Sequence, residues 1–288
     1  MNTINLLHNN ILFYLTWVAI FSLLIGSFLN VVIYRLPTML HRETRAFCQE
    51  YLALPQEKQK PFNLSWPLSR CNNCEKTLKP WHNIPVLSFL FLKGKCAYCK
   101  QGINPRYLLI EILCCVLTTW VAWHFGVSWQ ALAAAVFTWI LICLVFIDID
   151  HQLLPDNLTL PLLWIGLFAS LFSIFVFAKT AIIGALAGYL IFWCFAMAFK
   201  AITGKEGLGG GDFKLLAALG AWLGWQMLPV IVFMSALAGC VFAIVWMAFK
   251  RESIRGKPIP FGPFLAIAGW ICLMWGPEIL YWYIALPF

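Results

Sequence analysis

The chain has 288 residues, of which 62% are hydrophobic and only 11% charged, and its mean hydropathy is +0.81. Soluble domains carry about 25% charge, so the composition excludes an ordinary soluble enzyme, and it excludes a disordered chain as well. What remains is a polytopic membrane protein. The net charge of +8 is unevenly placed: between Arg35 and Arg106 stand 12 Lys/Arg and 4 Asp/Glu, while the rest of the chain holds eight of each sign. One basic, soluble segment is therefore set in an apolar chain.

A helix needs about 20 apolar residues to cross a bilayer. Run one is Ile11 to Tyr34, without a charge. Run two is Tyr107 to Phe125, broken only by Glu111, and run three is Trp129 to Ile147, ending at Asp148. Runs four and five cover about 158–177 and 181–199. The apolar stretch Phe213 to Phe249 is too long for one span, and Gly224, Trp225, Gln226 and Pro229 divide it into helices of about 213–224 and 226–249. The last run is Phe264 to the C-terminus. The expected fold is thus an all-α polytopic membrane protein of about eight transmembrane helices. Its expected division is a first helix over 1–34, a small cytoplasmic cysteine-rich domain over 35–106 between helices 1 and 2, and a seven-helix membrane domain over 107–288.

Lys and Arg set the orientation. With the N-terminus outside, residues 35–106, 148–157, 200–212 and 250–263 face inward, and 19 of the 20 Lys/Arg fall inside. Only Lys179 falls outside. The first run is long and lacks a preceding basic region, so it reads as a retained helix and not a removed signal peptide. No internal repeat stands out. The basic segment is expected to lie against anionic lipid and not to bind nucleic acid.

Eleven cysteines are present. Six lie in spans and read as small apolar packing residues, and Cys48 stands alone. The other four form Cys71-Asn-Asn-Cys74 and Cys96-Ala-Tyr-Cys99. A two-residue gap lets both sulfurs turn toward one metal, and two such pairs complete a tetrahedral four-thiolate site. Structural zinc is the expected occupant. Two disulfides, a redox-active pair and an iron–sulfur cluster are the competing readings.

Ionisable groups in or at the edge of spans are costly and usually functional. Glu111, Asp148, Asp150, Asp156, Asp212 and Glu278 are in this position. Asp148 closes run three, and Asp212 follows Gly209-Gly210-Gly211 at the start of a short span. Both are expected at the cytoplasmic face. Two carboxylates at one depth cannot both ionise cheaply, so one keeps its proton. Such a pair can activate water for peptide hydrolysis. The glycines leave bare backbone to which an extended substrate segment could pair. Plainer readings are a helix-end acid for Asp148, a dipole-stabilised N-terminal acid for Asp212, a helix-flanking acid for Asp156, and a proton or ion path through Glu111. A proton-coupled transporter using Glu111 and the aspartates is the alternative function.

At this point the motifs resemble those of the type IV prepilin peptidases. Gly26-Ser27-Phe28-Leu29-Asn30-Val31-Val32-Ile33-Tyr34-Arg35-Leu36-Pro37 is similar to that family's first-helix exit. The two cysteine pairs are similar to those of its cytoplasmic zinc-bearing loop, and Asn104-Pro105-Arg106-Tyr107 with Glu111 to the entry of its second helix. Ile147-Asp148 with Leu154-Pro155-Asp156 matches its first aspartate motif, and Gly209-Gly210-Gly211-Asp212 its Gly-x-Gly-Asp motif. The resemblance implies Asp148 and Asp212 as the catalytic pair, with Asp148 preferred over Asp150 by its spacing to Pro155. It implies Gly209, Gly210 and Gly211 as the active-site loop and Cys71, Cys74, Cys96 and Cys99 as zinc ligands. It further implies cleavage of a basic leader after a glycine from type IV prepilins and pseudopilins at the bacterial inner membrane. Methylation of the new N-terminus from S-adenosylmethionine is implied too. No glycine-rich nucleotide fingerprint stands in the loop; Gly94 and Glu111 are the candidates for methyl transfer.

Overall fold

The computed structural model describes residues 10–55, 61–71, 73–204, 209–250 and 259–284. Lys205, Gly207, Leu208, Arg251, Arg255 and Lys257, which enter the orientation and motif readings, lie outside the described residues, as do the last four of the final run. Among the described residues the fold is helical, with two isolated β-bridges and no strand. Two compact units divide at Ala131/Leu132.

The first unit holds two long helices and a small polar module. Helix α1 is Ile11–Tyr51, capped by the Asn10 side chain, which accepts from the Phe13 N–H at 3.2 Å. It runs 17 residues past Tyr34, where the apolar run ends, with Pro37 inside it. Residues such as Met39, Leu40, Arg42, Glu43, Arg45 and Ala46 are good helix formers, so loss of hydropathy does not end the helix. After a short helix α2 (Leu87–Phe91) comes α3 (Arg106–Phe125), which packs on α1. Gly26 makes that packing close: a Cβ there would stand 2.9 Å from the Glu111 Cα. The Asn30 Nδ2 bridges the pair, donating to the carbonyls of Tyr107 (3.1 Å) and Gly26 (3.3 Å). Small and amide residues at such contacts are the signature of helices packed in lipid, where apolar burial gives no preference for association.

The second unit is built round one short helix. Its helices are α4 (Trp129–His151), α5 (Asp156–Leu171), α6 (Ala178–Thr203), α7 (Gly210–Leu223), α8 (Leu228–Lys250) and α9 (Gly262–Ile284). Helix α7 is buried from Asp212 to Leu223 except at Lys214, and it packs on α5, α6, α8 and α9. Its 14 residues span about 21 Å, less than the hydrocarbon core. It can be short because the other helices surround its length, leaving only Lys214 half-buried between Asp212 and Leu223. Gly184 and Gly188 of α6, four residues apart, face Gly220 and Leu216 of α7 with main chains nearly touching. The Trp222 indole fills the space left by Gly166 and donates to the Leu162 carbonyl at 2.8 Å.

Large apolar side chains such as Trp17, Phe21, Trp123, Trp164 and Phe195 point outward, while Ser22, Thr118, Thr138, Thr159, Ser170 and Ser235 are buried. A protein in water shows the reverse, so the surface is dressed for lipid. Among the described residues, six helices are long and apolar enough to cross a membrane, and α5 and α7 are shorter helices of 16 and 14 residues. All eight expected runs are therefore helical, with shifted ends. Run four stops at Leu171, because the chain turns at Phe172–Ser173, where Ser173 takes φ +54°. Hydropathy misses this turn, since Phe175 beyond it packs on the Trp222 ring at 5.8 Å. Run three continues to His151, so Asp148 and Asp150 lie inside the last turn of α4 and not beyond it.

Gly220→Val is expected to lower the thermal unfolding midpoint of the detergent-solubilised protein by several degrees, since overpacking costs about 1–3 kcal/mol. Gly102→Ala, a site with open space around it, should leave the midpoint unchanged.

Candidate functional site

Helix ends assemble the carboxylate site in the second unit. Asp148 is 5% exposed and Asp212 9%, whereas Asp150 faces outward. Residue 148 is thus the one that α4 turns inward. Asp148 Oδ2 accepts the Gly262 N–H at 3.0 Å from the first turn of α9. Asp212 is the third residue of α7, and its carboxylate lies beside that helix's N-cap: a Cβ on Gly209 would stand 3.6 Å from Asp212 Oδ2. An acid in the first turn suits the helix dipole, so the plain helix-terminus role of Asp212 stands. The two carboxylates are close enough for the charge of Asp148 to act on Asp212.

Leu154 packs beside the helix turns that carry the two acids. Gly211 approaches it so closely that a Cβ would stand 2.7 Å from the Leu154 Cβ. Gly209 and Gly210 are exposed, with open backbone around Gly210. Asp156 stands apart from the pair: its carboxylate takes the Lys214 ammonium at 2.6 and 2.7 Å, tying the start of α5 to the start of α7. The C-terminal end of α4 and the N-terminal ends of α5, α7 and α9 therefore meet at one end of the bundle.

The cysteines form the second candidate site. The four Sγ atoms of Cys71, Cys74, Cys96 and Cys99 lie within 4.8 Å of one another. The Cys71–Cys99 separation is 3.7 Å. A tetrahedral Zn–S₄ unit with bonds of about 2.3 Å has edges of about 3.8 Å, so the donor set fits zinc. Each pair sits in the same backbone turn. The Cys71 N–H donates to the Lys76 carbonyl and the Glu75 N–H to the Cys71 carbonyl; the Cys96 N–H donates to the Gln101 carbonyl and the Lys100 N–H to the Cys96 carbonyl. Bridges Arg70–Thr77 and Lys95–Gly102 close the two hairpins, and Glu75 (φ +55°) and Lys100 (φ +61°) occupy the matching left-handed position. An internal repeat is thus present, although too few side chains are shared for the sequence to display it.

Backbone N–H groups favour thiolate at two of the sulfurs. Cys71 is pushed down by the N–H groups of Cys74 and Asn73, and Cys99 is pushed down to about 6 by the Gln101 N–H and the Asn73 amide. At Cys74 the Lys76 N–H acts in the same sense, but desolvation and the neighbouring sulfurs prevail and push it up to about 11. Four thiolates so close repel one another unless a cation joins them. His82 stays outside the sulfur cluster, against the Tyr98 ring at 5.7 Å.

The two methyl-transfer candidates both have structural work. Gly94 takes φ +66°, and a Cβ there would stand 3.0 Å from the Phe89 ring. Glu111 is 9% exposed; its carboxylate accepts the Val86 N–H at 2.8 Å and meets the Ser27 hydroxyl. Val86 has φ +58°, a strained setting for a β-branched residue. Glu111 therefore pins a strained turn of the polar module to α3. Two further residues escaped a role in the sequence reading. Arg35, 8% exposed, donates to the carbonyls of Asn63 (3.0 Å), Leu64 (3.2 Å) and Pro67 (2.6 Å) and clasps the start of the module to α1. Gly262 is the other; a lone Gly-Pro after a basic loop signals only a helix start.

Buried carboxylates at helix ends, in a multi-pass membrane protein with a four-cysteine module, are the arrangement that an intramembrane aspartyl peptidase requires. The comparisons specify it further. Residues 20–125 match the model of the bacterial peptidase A24 N-terminal domain, and residues 135–244 match that of the type IV leader peptidase family. Relatives named prepilin leader peptidase/N-methyltransferase include one from Stutzerimonas stutzeri, 49% identical over 97% of this chain and 96% of its own. Another, from Pseudomonas aeruginosa, is 51% identical over 90% and 89%, and one from Dichelobacter nodosus is 49% identical over 91% and 92%. The chain belongs to the type IV leader peptidase family. No solved structure matches it.

Gly94→Ala is expected to destabilise the cysteine module by more than about 1 kcal/mol, because both φ and the Phe89 ring oppose a side chain. Proteolysis of the loop in the intact protein, faster in the variant than in wild type, checks this.

Proposed function

We propose that this chain is a bifunctional membrane enzyme. It removes the basic leader from type IV prepilins and pseudopilins after a glycine, then methylates the exposed N-terminus. The observation that carries the peptidase reading is the burial of Asp148 and Asp212 together where four helix ends meet. One carboxylate takes a proton from water as its oxygen attacks the scissile carbonyl carbon. The other, protonated, donates to the carbonyl oxygen. Collapse of the tetrahedral intermediate breaks the C–N bond and returns a proton to the leaving amine. Gly209 and Gly210 offer exposed main chain beside Asp212, against which an extended substrate segment can lie. The names of the relatives support both activities, and the transporter alternative gains no support from them.

In this reading the N-terminus is periplasmic and the aspartates act at the cytoplasmic face, which follows the distribution of Lys and Arg. Zinc is held by Cys71, Cys74, Cys96 and Cys99 and supplies folding energy to a module with little core. S-adenosylmethionine is the methyl donor. Gly94 and Glu111 support methyl transfer through the turns they hold, since both shape the module next to the cysteines.

Incubation with a prepilin and S-adenosylmethionine, followed by mass spectrometry, tests both activities. Asp148→Asn and Asp212→Asn should each lower cleavage on the order of ten-thousandfold while still methylating a pre-cleaved pilin peptide. Normal cleavage by either variant overturns the assignment. Metal analysis should find one zinc per chain, lost in Cys71→Ser together with protease resistance of residues 70–102; iron in its place would refute the zinc reading.

A further inference from the structure

Asp148 and Asp212 are held in different ways. The Asp212 carboxylate lies beside Gly209, three residues away at the cap of its own helix. The Asp148 carboxylate reaches across 114 positions in sequence to the N–H of Gly262. Gly262 opens α9, so this N–H is one of the donors that the helix itself leaves without a partner, at the positive end of its dipole. The approach depends on the missing side chain. A Cβ at residue 262 would stand 2.6 Å from Asp148 Oδ2, 3.2 Å from its Cγ and 3.0 Å from the Leu154 Cδ2. Real Cβ atoms do not come within 3 Å of such neighbours, so the carboxylate or the helix would have to move. Pro263 follows and has no N–H to substitute.

We propose that Gly262 is the positioning residue for Asp148. Its N–H fixes Oδ2, and its bare Cα lets α9 close on the carboxylate, so that Oδ1 is left aimed at the reacting water. The inference rests on the reading of Asp148 as a catalytic acid. It brings α9 into the active site, beyond residue 244 where the match to the peptidase family model stops. Residues of catalytic sites must be held to about half an ångström, and errors of 1 Å cost on the order of a hundredfold in rate.

The test uses full-length protein in detergent with a prepilin substrate. Gly262→Ala should lower kcat about a hundredfold and leave KM within about twofold, because the geometry of the chemical step is lost and not substrate binding. A second variant, an amide-to-ester replacement at position 262, removes the donor and adds no atom, while weakening the Phe261 carbonyl that accepts the Phe264 and Leu265 N–H groups. It should lower kcat about tenfold, as expected for losing one hydrogen bond to a charged group. Methylation of a pre-cleaved pilin peptide serves as the readout of intact protein and should stay within about twofold in both. If Gly262→Ala fails that readout, the ester variant decides. Wild-type kcat in the ester variant, or a change confined to KM, overturns the role of Gly262 provided that Asp148→Asn is inactive. Normal cleavage by Asp148→Asn overturns the catalytic reading beneath it instead.

Discussion

A carboxylate among membrane helices must find donors, because hydrocarbon offers none and an unpaired charge there costs several kcal/mol. Asp148 finds one in the main chain, the N–H of Gly262 in the first turn of α9, and Asp212 stands in the first turn of α7 beside the backbone of Gly209. This demand organises the second unit. Helix α7 is short and buried from Asp212 to Leu223 except at Lys214, and the helices around it come close. Glycines at 184, 188, 211, 220 and 262 allow those approaches. Leu154 fills the space between Gly211 and Gly262, so the two acidic loops and the start of α9 form one packed unit.

The polar module solves a different problem. It has too few apolar residues for a core of its own. Order comes from two matching cysteine hairpins and from two buried ionic side chains that reach in from the helices. Arg35 of α1 clasps three carbonyls at the module's start, and Glu111 of α3 holds the Val86 N–H. Both are long side chains at helix positions next to the membrane, where the apolar stem lies along the helix and the charged head engages backbone. Residues that look like isolated intramembrane charges are, in this part of the chain, anchors for soluble structure.

Much of the site was legible in the residues. Two Cys-x-x-Cys pairs allow one four-thiolate metal site among several readings, and the structure brings all four sulfurs within 4.8 Å of one another. The family resemblance preferred Asp148 over Asp150 by the spacing to Pro155, and burial separates the same two residues. Gly262 was not legible. Its function comes from contact with a residue far away in the chain, and no local pattern records that. The continuation of α1 to Tyr51 was missed because hydropathy reports where a helix leaves the membrane and not where it ends. The hairpin repeat was hidden because it is a repeat of backbone hydrogen bonds, which many side chains permit.

The sequence by itself determined the class: a chain this apolar with one basic, cysteine-rich loop has to be helical in lipid and polar in one place. It also marked Asp148, Asp212 and the two Cys-x-x-Cys pairs as the candidates, since each stands in a local motif. Only the tertiary structure decided how the acids are held. Asp148, Leu154, Gly211 and Gly262 are brought together by packing of helix ends, and packing depends on the shapes of surfaces distant in sequence. Periodicity and hydropathy carry no information about which of those surfaces meet.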